Sequence, residues 1–257
     1  MKFASLGSGS KGNALLISAS SGTTDTVAML DCGFGIRETE QRMSRLGVQP
    51  SDLDAIVVTH EHKDHVGGAF KFARRHRVPV WLSHGTYQAV ADDTQNVELN
   101  FCQDGNPFSV QDLLFTPFTV PHDAREPLQF HITGGGLKLG VLTDVGQATP
   151  HLAHELTLCD ALMIECNHDL DMLARSRYHY SLKERIRGAL GHLSNADASS
   201  LLSGLDQSRL RKVVGAHLSQ ESNKPELALK ALRAALGSER IEVTIACQEE
   251  GFGWIDV

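Results

Sequence analysis

The chain has 257 residues, 41% of them hydrophobic, which is enough for one large α/β domain or two small ones with a sizeable buried core. A formal net charge of −7 denies the protein as a whole the electropositive footprint of a sequence-independent nucleic-acid binder, though not every local basic patch. No apolar run is long enough to cross a bilayer, residues 1–7 lack the apolar core of a signal peptide, and five scattered cysteines form no C-x-x-C pair, so a cytoplasmic protein with reduced thiols and no membrane partner is expected.

Residues 3–17 read as strand, Gly/Ser turn and strand. No helix follows the glycines, so neither the P-loop nor the dinucleotide fingerprint is met, and a tight turn is the simpler reading. A strand over 26–30 delivers Asp31 at its end, and the apolar spacing of 36–46 predicts a helix closed by Gly47. The β-branched run 55–58 is a buried-strand pattern, and Val66-Gly67-Gly68 leads into an amphipathic helix from Ala69. Between them stands Thr59-His60-Glu61-His62-Lys63-Asp64-His65, three imidazoles and two carboxylates on one strand-to-helix loop. Imidazole and carboxylate are ligands for zinc, manganese or iron, and such a loop can feed two ions but cannot complete either shell. Surface polarity or a helix cap is the plainer alternative.

Downstream, 78–82 reads as a strand, 85–91 as a short helix, and 97–142 as strands punctuated by Pro and Gly. From residue 152 helices and strands alternate: a strand at 162–165, helices at 181–190 and 196–205, a strand at 212–217, a helix at 225–236, and closing strands at 241–246 and 252–257. No repeat or Ser/Pro-rich linker marks a boundary, so a single domain over 1–257 is expected. Three more strand ends carry ligand-type residues, namely His122, Asp144 and His217. In α/β folds, strand ends are where distant residues converge. His131 lies inside a strand pattern, and His151 and His154 lie at a helix start, where structural roles suffice. Cys166 is the one thiol near the candidate chemistry. Two basic clusters, Lys71/Arg74/Arg75/Arg77 and Arg175/Arg177/Lys183/Arg185/Arg187, are either solvated faces or substrate contacts.

H-x-H-x-D-H followed by a lone His, a lone Asp and a final His resembles the metallo-β-lactamase superfamily over nearly the whole chain. The resemblance implies an α/β fold, a four-layer αβ/βα sandwich with two mixed β-sheets and the metals at one edge. It implies two divalent ions, zinc or manganese with iron possible: one held by His60, His62 and His122, the other by Asp64, His65 and His217, with Asp144 bridging. Asp31 matches an aspartate that orients the ligand loop without binding metal.

Residues 8–13, Glu165-Cys166-Asn167-His168-Asp169 and Gly191-His192-Leu193-Ser194-Asn195 further resemble the YycJ/WalJ group, which is exonuclease-like. Asn13, Asn167, His168 and Ser194 in these motifs are then expected substrate contacts. His192 occupies the place of a histidine that assists the leaving group in the tRNA 3′-processing nucleases of the superfamily; an ordinary loop histidine before a helix is its other reading. A cysteine ligand, found in two-zinc lactamases, is absent at Asp144. The acidic residue that the oxygen-reducing di-iron relatives carry is absent at His62. Too few residues follow Asp144 for a β-CASP insertion, and no exosite arm is evident.

The function implied is that of a metal-dependent hydrolase, a two-metal phosphodiesterase or 5′-3′ exonuclease-like nuclease acting on DNA or RNA through a metal-bound hydroxide. Asp64 would orient that nucleophile and His192 would supply a proton to the leaving oxygen. A thioester or lactone hydrolase of the glyoxalase II/lactonase type is the enzymatic alternative. A non-catalytic, metal-stabilised binding module is the third. The substrate partner is nucleic acid or another phosphodiester, and the oligomeric state is not legible.

Overall fold

The computed structural model describes residues 1–22 and 24–257. In chain order the elements are β1 (Lys2–Gly7), β2 (Ala14–Ser20), β3 (Asp25–Leu30), α1 (Ile36–Arg45), β4 (Ala55–Val57), α2 (Lys63–Val66), α3 (Ala69–His76), β5 (Val80–Leu82), α4 (His84–Val90), β6 (Leu99–Phe101), β7 (Phe108–Val110), β8 (Leu113–Thr119) and β9 (Leu128–Gly134). They continue as β10 (Leu137–Leu142), α5 (Pro150–Leu156), β11 (Ala161–Glu165), α6 (Leu170–Arg175), α7 (Tyr180–Arg187), α8 (Asn195–Ser203), β12 (Lys212–Ala216), α9 (Pro225–Ala234), β13 (Glu242–Ile245) and β14 (Phe252–Asp256). The strands form two seven-stranded sheets, ordered β14-β1-β2-β3-β4-β5-β6 and β13-β12-β11-β10-β9-β8-β7. Both are mixed, as expected: β1, β2, β3 and β14 pair antiparallel and β3 to β6 parallel in one, while β10 to β13 pair parallel and β7 to β9 antiparallel in the other.

Contacts divide the chain into two compact units, the first comprising Met1–Thr119, Ala124–Leu137 and Cys247–Asp256, the second Val120–Asp123, Lys138–Ala246 and Val257. In the first unit β4 is buried along its whole length, and for that reason it reads as a continuous apolar run rather than an alternating one. Met43 of α1 and Phe70, Phe72 and Ala73 of α3 join Leu16, Met29 and Ile56 in one apolar cluster. Arg42 of α1 is buried among oxygens: it pairs with Glu38 one turn earlier and donates from Nη1 to the carbonyls of Leu6, Gln248 and Glu249. In the second unit α9 packs on β12 and β13, burying Ala228 and Leu232.

The helix read over 181–190 stops at Arg187 because Gly188 turns extended, with ψ 164°. Two short helices escape the sequence reading. α2 is a single turn inside the ligand loop, and α6 has one buried residue, Leu173, too few to set a period. The two closing strands separate, β13 pairing with β12 and β14 with β1. Among the described residues, no helix is long and apolar enough to cross a membrane.

Candidate metal centre

In the first unit the ligand loop leaves β4 and enters α2, whose N-cap is His62, in extended conformation, and which carries Asp64 and His65. His60 and His65 are buried while His62 and Asp64 are half-buried. The His60 ring lies edge-on to His62 at 4.6 Å and tilted to His65 at 4.2 Å between centroids. Thr59 is the hub beneath them: its N–H and hydroxyl donate to Asp31 at 2.9 and 3.0 Å, which frees the hydroxyl oxygen to accept from His60 Nδ1 at 2.9 Å. His65 Nδ1 donates to Asp31 Oδ2 at 2.7 Å. One buried carboxylate therefore orients both histidines without facing outward itself.

Asn13 holds the same loop from the other side. Its N–H donates to the Asp64 carbonyl at 2.7 Å, and its side-chain amide reaches Gly9 O, Asp64 O and Asp64 Oδ2 at 3.1 to 3.3 Å. The amide nitrogen also stands 3.1 Å from His65 Nε2, and its several other acceptors make that contact cheap to give up. Gly33 lets the loop approach: a Cβ there would stand 1.9 Å from the Asp64 carbonyl oxygen.

In the second unit His122, Asp144 and His217 are all at most 4% exposed. His122 Nδ1 donates to Gly191 O at 3.1 Å, and Gly146 N donates to Pro121 O at 2.7 Å, which ties the segment bearing His122 to the turn bearing Asp144. Asp144 Oδ1 lies 3.6 Å from His217 Nε2 and 4.0 Å from His122 Nε2. Glu165, at the end of β11 and fully buried, accepts from His217 Nδ1 at 3.2 Å, from His192 Nδ1 at 2.8 Å, and from the N–H groups of Val145 and Leu193 at 3.0 Å. Burial alone would raise its carboxyl, but the His192 charge and the hydrogen bonds from His192 and His217 outweigh it and hold the pKa at about 2. His192 feels the reverse: burial pulls its pKa down, and the Glu165 charge and hydrogen bond, with Asp144 behind them, carry the net shift upward.

Asp31, Asp144 and His217 each follow a strand closely and each has a left-handed backbone, with φ 61°, 53° and 53°. Such non-glycine residues cost about 1–3 kcal/mol each and persist where their surroundings over-determine them. Here the kink swings a side chain off the strand end.

Asn167 donates to His217 O at 3.1 Å. Ser194 caps α8 through a reciprocal pairing with Asp197. His168 is 1% exposed, and both its ring nitrogens are buried without a hydrogen-bond partner among the described residues. Burial pulls its pKa down, so it sits neutral. All four expected substrate contacts, Asn13, Asn167, His168 and Ser194, are thus buried. Sequence reasoning gave no role to Glu165 beyond its motif, nor to the mutual side-chain amide pair Asn195–Asn223, whose two bonds of 2.9 Å stand beside Cys166 O. Burial pushes the Cys166 thiol far up, and Cys166 stands in none of the metal-ligand groupings among the described residues.

The donor set fits divalent ions. His65, His122 and His217 each commit Nδ1–H to an oxygen, and His60 has the same option through Thr59. Nε2 is left as the basic nitrogen, as in metal-binding histidines. Within each unit, donor atoms 3.6 Å apart, such as His65 Nε2 with Asp64 Oδ2 and His217 Nε2 with Asp144 Oδ1, suit a shared ion with bonds of about 2.0–2.2 Å.

Comparison with known proteins identifies the family. The family model described as a beta-lactamase superfamily domain matches residues 27–217. An exodeoxyribonuclease YycJ of Bacillus anthracis is 30% identical over 98% of this chain and 91% of its own length. An exodeoxyribonuclease WalJ of Streptococcus pneumoniae is 30% identical over 88% and 85%. Among solved structures, zinc-bound PqqB from Methylobacterium extorquens superposes with a TM-score of 0.74 at 17% identity, covering 100% of both chains, a likeness of fold alone. With two mixed seven-stranded sheets and histidine and aspartate residues of metal-ligand type at their strand ends, the chain belongs to the metallo-β-lactamase superfamily.

Proposed function

We propose that this protein is a two-metal phosphodiesterase working as a 5′-3′ exonuclease-like nuclease on DNA or RNA. His60, His62 and His122 would hold one divalent ion and Asp64, His65 and His217 the second, with Asp144 shared between them. The observation that carries the reading is the hydrogen bonding of the ligand histidines: His65, His122 and His217 each give Nδ1–H to a buried oxygen and keep Nε2 basic. Zinc and manganese both suit an imidazole and carboxylate set, and iron is the third option. Once bound, such ions acidify water and neutralise charge developing on a phosphate. The relatives YycJ and WalJ, named exodeoxyribonucleases, support nucleic acid as the substrate.

The chain's own residues supply the rest. Asp64, 23% exposed at its side chain, accepts a hydrogen bond from the attacking water and orients it. His192, 19% exposed, has its Nδ1 anchored on Glu165, so its Nε2 is the nitrogen left to protonate the leaving oxygen. Asp31 and Glu165 fix the ligand tautomers. Asn13, Asn167, His168 and Ser194 act from behind as positioning residues, their burial arguing against direct substrate contact. The whole chain serves as one functional unit without an inserted domain.

The test is hydrolysis of bis-p-nitrophenyl phosphate and of end-labelled single- and double-stranded DNA and RNA by protein loaded with zinc or manganese. Turnover in the wild type, with Asp64→Ala folded but inactive, is the expected result. Full activity of Asp64→Ala removes the central motif from the chemistry. A protein that cleaves only small thioesters or lactones belongs to the rival class.

A further inference from the structure

The segment carrying α6 and α7 is an excursion between the two partners of one hydrogen bond, Glu165 at the end of β11 and His192. It is anchored at both roots. Asp169 caps α6 by accepting from Met172 N at 2.9 Å, and Lys183 Nζ donates to Ala174 O and Ser176 O at 2.7 and 2.8 Å, binding α7 to the end of α6. At the other root His192 N donates to Ile186 O at 2.8 Å, and Arg185 pairs at 2.6 Å with Asp123, the neighbour of His122.

This excursion carries the surface least explained by folding. A cavity of about 510 Å³ opens on it, floored by Leu170, Leu173, Tyr178 and Tyr180. Tyr180 is 70% exposed and Leu170 54%, an unusual investment of apolar area in solvent. Neither tyrosine side chain makes a hydrogen bond or ring contact among the described residues. The cavity's charged lining is Lys183, Glu184 and Arg187, and residues 169–187 as a whole carry Arg175, Arg177, Lys183, Arg185 and Arg187 against Asp169, Asp171 and Glu184, in a chain whose net charge is −7. Arg187 is spent on Glu184 and Arg185 on Asp123, whereas Arg175 and Arg177 are exposed and, among the described residues, pair with no carboxylate.

Uncommitted aromatic faces beside uncommitted guanidinium groups are what single-stranded nucleic acid requires, bases stacking on the rings and phosphates taking the arginines. An apolar protein partner would cover the floor and leave two guanidinium groups to be desolvated at its rim, and a duplex keeps its bases stacked on each other. We propose that the α6–α7 segment is the docking surface for single-stranded nucleic acid, leading the strand toward His122 and His192. This rests on the phosphodiesterase reading of the same site and gives it a substrate form.

The experiment measures anisotropy of a short fluorescein-labelled oligothymidylate with the full metal-loaded chain, bis-p-nitrophenyl phosphate turnover, and molar mass in solution. Tyr180→Ala should weaken oligonucleotide binding roughly 5- to 150-fold, the span of one lost base stack, with Tyr180→Phe close to wild type. Arg175→Ala/Arg177→Ala should weaken binding and flatten the slope of log Kd against log salt by about one unit or more. Diester turnover should stay unchanged in all of them. Unchanged binding and salt slope in both variants overturns the docking surface. So does a parallel loss of diester turnover, or a change in molar mass in Tyr180→Ala with oligonucleotide binding intact, which would mark a self-association face. Absence of diester turnover in a wild type that still binds oligonucleotide through Tyr180 sinks the proposed activity and leaves the surface standing.

Discussion

Glu165 Oε1 stands 2.8 Å from His192 Nδ1 and 3.2 Å from His217 Nδ1, so one buried carboxylate sets the tautomers of a proposed metal-ligand histidine and a proposed proton donor together. Its other oxygen accepts from the N–H groups of Val145 and Leu193, which leaves no solvent contact to replace a lost bond. Glu165→Gln keeps the shape but sets an NH₂ group against donors on at least one side. The expected outcome is a folded protein with metal affinity or turnover down roughly 10- to 100-fold, the usual effect of removing a ligand's hydrogen-bonding partner. Equilibrium dialysis against zinc with parallel kinetics checks it, and wild-type values for both would remove Glu165 from the site.

His192→Ala should keep its metals and lose about 10²-fold or more in turnover on a poor leaving group. A nitrophenolate leaves with little need of a proton, whereas a sugar alkoxide needs one, so the deficit should be much larger on nucleic acid than on bis-p-nitrophenyl phosphate. Equal deficits on both would point to positioning. Loss of metal would make His192 a ligand.

Gly33→Ala tests how closely the ligand loop is seated. A methyl group there meets the Asp64 carbonyl oxygen at 1.9 Å, and that peptide also receives the Asn13 N–H at 2.7 Å, so the loop must move rather than the methyl. The variant should melt at a lower temperature and retain less metal, by calorimetry and elemental analysis. Unchanged melting and metal content would show that the loop has slack.

Much of the fold was legible because burial writes itself into composition. The parallel strands β4, β11 and β12 are buried on both faces and so appear as unbroken apolar runs, each followed by residues of metal-ligand type. The three-residue strands β6 and β7 are too short to show alternation, and α2 and α6 bury too little to show a helical period. Sheet membership was not legible either: β13 and β14 read alike but pair with β12 and β1, a choice made by register with distant strands. At the site, residue types announced themselves, but roles that depend on who touches whom did not. Glu165 after an apolar strand could be ligand, base or buttress until its four donors are seen. Ser194, expected as a substrate contact from its Gly-His-Leu-Ser-Asn motif, is also the N-cap of α8, a role the motif does not announce.

The central claim is that seven side chains hold two ions, and the most direct measurement is the metal content, by elemental analysis, of wild-type protein and of His217→Ala after saturation with zinc and desalting. The account predicts close to two equivalents in the wild type, falling toward one in His217→Ala, because His217 serves the second ion and the first keeps His60, His62 and His122. Equal metal content in the two proteins, or a wild type that retains none, would contradict it.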